Sequence, residues 1–91
     1  MERLLNSVGK MCFVNYFEKF KDMQIPSTDL VNLLHEENGY SINACQTRVS
    51  KARQIISNGQ SCTALQTIIK AQRVDDNTRS KATKLFQEYC N

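Results

Sequence analysis

The chain has 91 residues, 41% of them hydrophobic and 23% charged, with a net charge of +3, the composition of one small folded domain rather than of a disordered or fibrous chain. One proline and three glycines are too few for the turns of a sandwich or barrel, and the longest apolar run, Met11–Val14, is too short to cross a bilayer. With Glu2 and Arg3 at the start and no signal-peptide core after them, the expectation is a single all-α domain over residues 1–91, cytoplasmic and not membrane-bound.

The first predicted helix runs from about residue 2 to 22. Its apolar residues are Leu4, Leu5, Val8, Met11, Cys12, Phe13, Tyr16, Phe17, Phe20 and Met23. At 100° per residue they cover well over half of a helix circumference, more than a surface helix needs. Such a helix is either central to the domain or shares a face with another chain. Leu5, Val8, Cys12, Phe13, Tyr16, Phe17 and Phe20 are therefore candidates for a homodimer or protein-partner interface. Gly9 interrupts the pattern and marks a close approach or a bend.

Pro26 ends the link that follows, and Ser27 or Thr28 is the natural N-cap of a short second helix built on Leu30, Val31, Leu33 and Leu34. His35-Glu36-Glu37-Asn38-Gly39 closes it, with Asn and Gly suited to a left-handed C-terminal turn. Ser41 caps a third helix that ends near Ser57, with Ile42, Cys45, Val49, Ala52 and Ile56 spaced to face inward. Asn58-Gly59 stops it. Ser61 caps a fourth helix carrying Leu65, Ile68, Ile69 and Ala71, and Asp75, Asp76 or Asn77 caps a fifth with Ala82, Leu85, Phe86 and Tyr89 on one face. The expected architecture is a compact bundle of about five helices.

Charge is unevenly placed. Residues 27–40 hold Asp29, Glu36 and Glu37 without a Lys or Arg, whereas residues 41–74 hold Arg48, Lys51, Arg53, Lys70 and Arg73 without an acid. That asymmetry suits a surface facing a polyanion with a solvated back. Cys12, Cys45, Cys62 and Cys90 include no close pair of the kind structural zinc sites use, so no metal or other cofactor is expected, and buried reduced thiols account best for at least Cys12 and Cys45.

The third helix carries the candidate site. Opposite its inward face lie Asn43, Gln46, Thr47, Ser50, Lys51 and Gln54, flanked by Arg48 and Arg53. Asn and Gln can bond adenine edges, Lys and Arg guanine edges or phosphates, and Ser and Thr either. No acid on the helix would repel a nucleic-acid backbone. These eight residues point to double-stranded DNA read in the major groove.

Residues 39–53, Gly39-Tyr40-Ser41-Ile42-Asn43-Ala44-Cys45-Gln46-Thr47-Arg48-Val49-Ser50-Lys51-Ala52-Arg53, resemble the helix-turn-helix of region four in bacterial RNA polymerase sigma factors. The likeness extends over about residues 28–57, and response-regulator output domains share a similar pattern. The resemblance implies that Cys45 and Val49 are buried, that Arg48, Lys51 and Arg53 match basic positions of a recognition helix, and that this helix lies in the major groove of promoter DNA. His35–Asn38 exceed the three- or four-residue turn of a tight motif, so the turn is loose or the preceding helix longer.

The leading expectation is a small DNA-binding transcriptional regulator, dimeric through the first helix. The alternative is a helical adaptor that binds a protein partner through that same apolar face. An enzyme is not expected. His35 is the only imidazole, adjacent Glu36 and Glu37 point different ways on a helix, and no glycine run could cradle a phosphate.

Overall fold

In the computed structural model, which describes residues 2–90, the chain is all-α, with no strand among the described residues. Three short helices come first: α1 (Glu2–Val8), α2 (Lys10–Asn15) and α3 (Phe17–Lys21). Four longer ones follow: α4 (Ser27–Asn38), α5 (Ile42–Ser57), α6 (Ser61–Lys70) and α7 (Asp76–Tyr89).

The long first helix of the sequence reading is thus broken twice, and the breaks explain its wide apolar surface. Gly9 adopts φ +90°, a conformation an L side chain rarely enters, and Tyr16 leaves helical geometry at φ −115°, ψ 15°. Helical hydrogen bonds stop at each break and restart from it, Gly9 N–H donating to Leu5 and Phe13 N–H to Gly9, Tyr16 N–H to Cys12 and Phe20 N–H to Tyr16. A straight helix lying at the surface could bury only one stripe of itself. Two bends re-aim the successive segments, so Leu5, Val8, Cys12, Phe13, Phe17 and Phe20 all enter one core. The expected dimer or partner interface is corrected accordingly. Six of its seven residues are buried within a single chain and offer nothing to a second one. Tyr16, half-buried, is also committed, its hydroxyl donating to Glu37 Oε1 at 2.5 Å and accepting from Asn38 Nδ2 at 3.0 Å.

Around that aromatic segment the other helices close the core. Leu30 and Leu34 come from α4, Cys45, Val49, Ala52 and Ile55 from α5, Ala64, Leu65 and Ile68 from α6, and Ala82 from α7. The inward face of α5 is rotated slightly from the expected one. Ile55 is buried, while Ile42 at the first turn is 41% exposed and Ile56 half-buried.

Helix ends follow the expected chemistry in part. Ser41 Oγ accepts from Ala44 N–H at the start of α5, and Asp75 accepts from Thr78 N–H at the start of α7. Gly39 takes the left-handed conformation after α4. At the end of α5, Gly59 N–H bonds Ile56 and Gln60 N–H bonds Ile55, the paired bonds of a Schellman stop. Ser27 and Ser61 are instead the first residues of their helices, preceded by Pro26 and Gln60 without a side-chain cap. Ser27 Oγ accepts from Arg53.

Helices α6 and α7 form an antiparallel pair closed by a Cys62–Cys90 disulfide, a pairing the spacing of the cysteines did not indicate. Cys12 and Cys45 are free and buried. A disulfide persists in oxidising surroundings and is rare in most cytosols, which sets this bond against the expected cytoplasmic location. No helix among the described residues is long and apolar enough to cross a membrane.

Candidate nucleic-acid interface

The site is built on α4, the turn and α5. Helix α4 continues through His35–Asn38, leaving only Gly39-Tyr40-Ser41 between the two helices. The apparent excess of residues before the turn is therefore a longer helix, not a loose loop. Tyr40 anchors the turn. Its carbonyl lies 2.7 Å from His35 Nδ1 and accepts from the Cys45 thiol, while its ring lies under the Arg48 guanidinium at 4.0 Å.

The two flanking arginines face inward. Arg48 Nη1 donates to the Val8 carbonyl at 2.5 Å, across 40 positions of chain. It meets α1 where that helix ends, so a cation satisfies a C-terminal carbonyl and the negative end of a helix dipole. Arg53 does the same for α3. Its guanidinium donates to the carbonyls of Lys19, Phe20, Asp22 and Ile25 and to Ser27 Oγ. Arg79 repeats the device on α6, donating to Ile69 and Ala71. The planar fork of an arginine suits this work, because several donors can reach diverging carbonyls at once. Arg48 and Arg53, expected at the nucleic-acid face, are thus fold-holding residues, and only Lys51 carries charge for that face of α5.

Burial raises the pKa of the Cys12 thiol above its ordinary value, outweighing the opposite pull of Arg48 beside it. It is therefore a poor nucleophile despite its cationic neighbour.

Asn43, Gln46, Thr47, Ser50 and Gln54 are all exposed along one stripe of α5. Among the described residues, none of these five side chains makes a hydrogen bond within the chain. Lys51 lies half-buried at the edge of the stripe. On the α4 side, Ser27, Thr28, Val31, Gln46, Ser50 and Arg53 line an open groove of about 530 Å³. What the arrangement offers is uncharged hydrogen-bonding chemistry on a rigid helix, without an acid on it. The α5 face was legible in the sequence from its periodicity. The capture of Arg48 and Arg53 was not, because their hydrogen-bond partners lie 26 to 40 residues away.

No cluster of three or more metal-ligating side chains exists among the described residues. The chain matches no protein-family model, no curated protein and no solved structure.

Proposed function

We propose that the protein binds double-stranded DNA, inserting the outward face of α5 into the major groove and acting in transcriptional regulation. The observation that carries this reading is the stripe of five exposed amide and hydroxyl side chains that make no hydrogen bond among the described residues, on a helix without an acid. An ordinary solvated face mixes carboxylates into such a stripe. A face that lies against phosphates carries few of them, and amides and hydroxyls can bond base edges. The three-residue turn and the resemblance to sigma region four support the same docking. With Arg48 and Arg53 committed to the fold, phosphate contacts fall to Lys51 and to cations outside α5.

The test is fluorescence anisotropy of a labelled mixed-sequence duplex over a salt series, followed by selection of preferred sequences. Binding should weaken with salt. Gln46→Ala should change the preferred sequence without lowering the melting temperature. Absence of binding to any duplex at low salt would end this reading, as would an Asn43/Gln46/Gln54 triple-alanine variant with unchanged affinity and preference.

A further inference from the structure

A second groove lies away from the α5 stripe, where α2 begins and α6 ends. Glu2, Lys10, Thr67, Lys70, Gln72 and Arg73 line its polar surface, and its volume is about 540 Å³. Three cations from two parts of the chain, Lys10 and the Lys70–Arg73 pair, line it with one carboxylate, Glu2. Lys10 donates to the neutral Asn6 amide, and among the described residues neither Lys70 nor Arg73 has an ion-pair partner.

Cations at a helix C-terminus ordinarily need no further explanation, since they offset its dipole. Here that work is already done by Arg79, which occupies the Ile69 and Ala71 carbonyls. Lys70 and Arg73 are thereby left exposed and unspent. Lys10 directly follows Gly9, the residue against which Arg48 Nη1 of α5 lies.

We infer that the Lys10–Lys70–Arg73 groove is a phosphate-backbone contact that accompanies the base-reading face of α5. This rests on the DNA reading above and supplies the charge that α5 lacks. Phosphate contacts fix register and supply affinity without reading sequence. The groove and the stripe therefore divide the work, one holding the duplex and the other choosing it.

The experiment is duplex titration by anisotropy at several salt concentrations, with the full chain, a Lys70→Ala/Arg73→Ala variant and a Lys19→Ala/Lys84→Ala control of equal net charge. All four side chains are exposed, and circular dichroism melts verify that each variant folds. The expected result is at least a tenfold loss of affinity for the groove variant at low salt. Its log–log salt slope should fall by about 2, one phosphate for each cation removed, with an unchanged sequence preference. The control should keep the parent slope. If the parent binds duplex and the groove variant keeps its slope, or the control loses as much, this inference fails while the DNA reading stands. If the parent binds no duplex, both fall together.

Discussion

Arg48 and Gly9 are mutually dependent. Arg48 Nη1 occupies a point 2.8 Å from where a Cβ on residue 9 would sit, and it donates to the carbonyl of the residue just before that glycine. The bend between α1 and α2 and the inward turn of a would-be DNA-binding arginine are one feature, seen from two ends of the chain. Glycine supplies the φ of +90° and the space, and arginine seals the carbonyl the bend exposes.

That dependence predicts a double-mutant cycle with strong coupling. Gly9→Ala should destabilise the protein by about 2–3 kcal/mol, from strained φ and the clash with the guanidinium. Arg48→Ala should cost about 2 kcal/mol, by leaving the Val8 carbonyl unpaired and uncovering Tyr40. In the Arg48→Ala background, Gly9→Ala should cost less, because only the backbone strain remains. Denaturant unfolding of the four proteins measures the coupling, and strict additivity would sever the link between the two residues.

Arg53 should resist its usual conservative replacement. Lysine offers one compact ammonium, whereas the guanidinium reaches four carbonyls and a hydroxyl spread between Lys19 and Ser27. Arg53→Lys is expected to lose about 2–3 kcal/mol of stability, while duplex binding measured below the melting temperature stays near the parent value. A stable Arg53→Lys protein with impaired DNA binding would return this residue to the interface.

The Cys62–Cys90 bond spans 28 positions. In the chain-entropy view, closing a loop of that length stabilises the fold by roughly 3–4 kcal/mol. Reductant should lower the urea midpoint of the parent by a corresponding amount. A Cys62→Ser/Cys90→Ser variant should start at that lower midpoint and not respond to reductant. Equal midpoints for the parent with and without reductant would remove the disulfide from the stabilising interactions.

Asp75 connects stability to acid. Its carboxylate accepts from the Thr78 hydroxyl at 2.6 Å and from the Thr78 N–H at 3.1 Å. These bonds, the hydroxyl's foremost, hold its pKa below the ordinary 3.8. A depressed folded pKa means that the stabilisation is complete above the unfolded value and is lost as pH falls through the folded one. Stability of the parent should therefore decline below about pH 4, and Asp75→Asn should flatten that part of the profile. Melting temperatures of the two proteins from pH 6 to pH 2 make the comparison, with identical slopes the contrary outcome.

Much of the fold was legible because its causes are local. Ser41, Asp75, Gly39 and Gly59 act within a few residues of themselves, so α5, α7 and the turns around them follow from caps and left-handed glycines. The outward stripe of α5 was readable for the same reason, since side chains repeating every third or fourth residue share a face wherever the helix is placed. Ser27 and Ser61 misled because the cap rule names a residue type, and the chain set the helix start one residue earlier in both cases.

By itself, then, the sequence determined an all-α chain, the extent of α5 and the polar face that α5 presents. Only the tertiary structure decided that the wide apolar segment of residues 2–22 folds around one core instead of joining two chains. It alone spent Arg48, Arg53 and Arg79 on the ends of α1, α3 and α6 while leaving Lys70 and Arg73 unspent. The reason is physical. Helix formation and amphipathicity are local and periodic, whereas the use of a charge depends on which unsatisfied carbonyl or carboxylate the folded chain brings within reach.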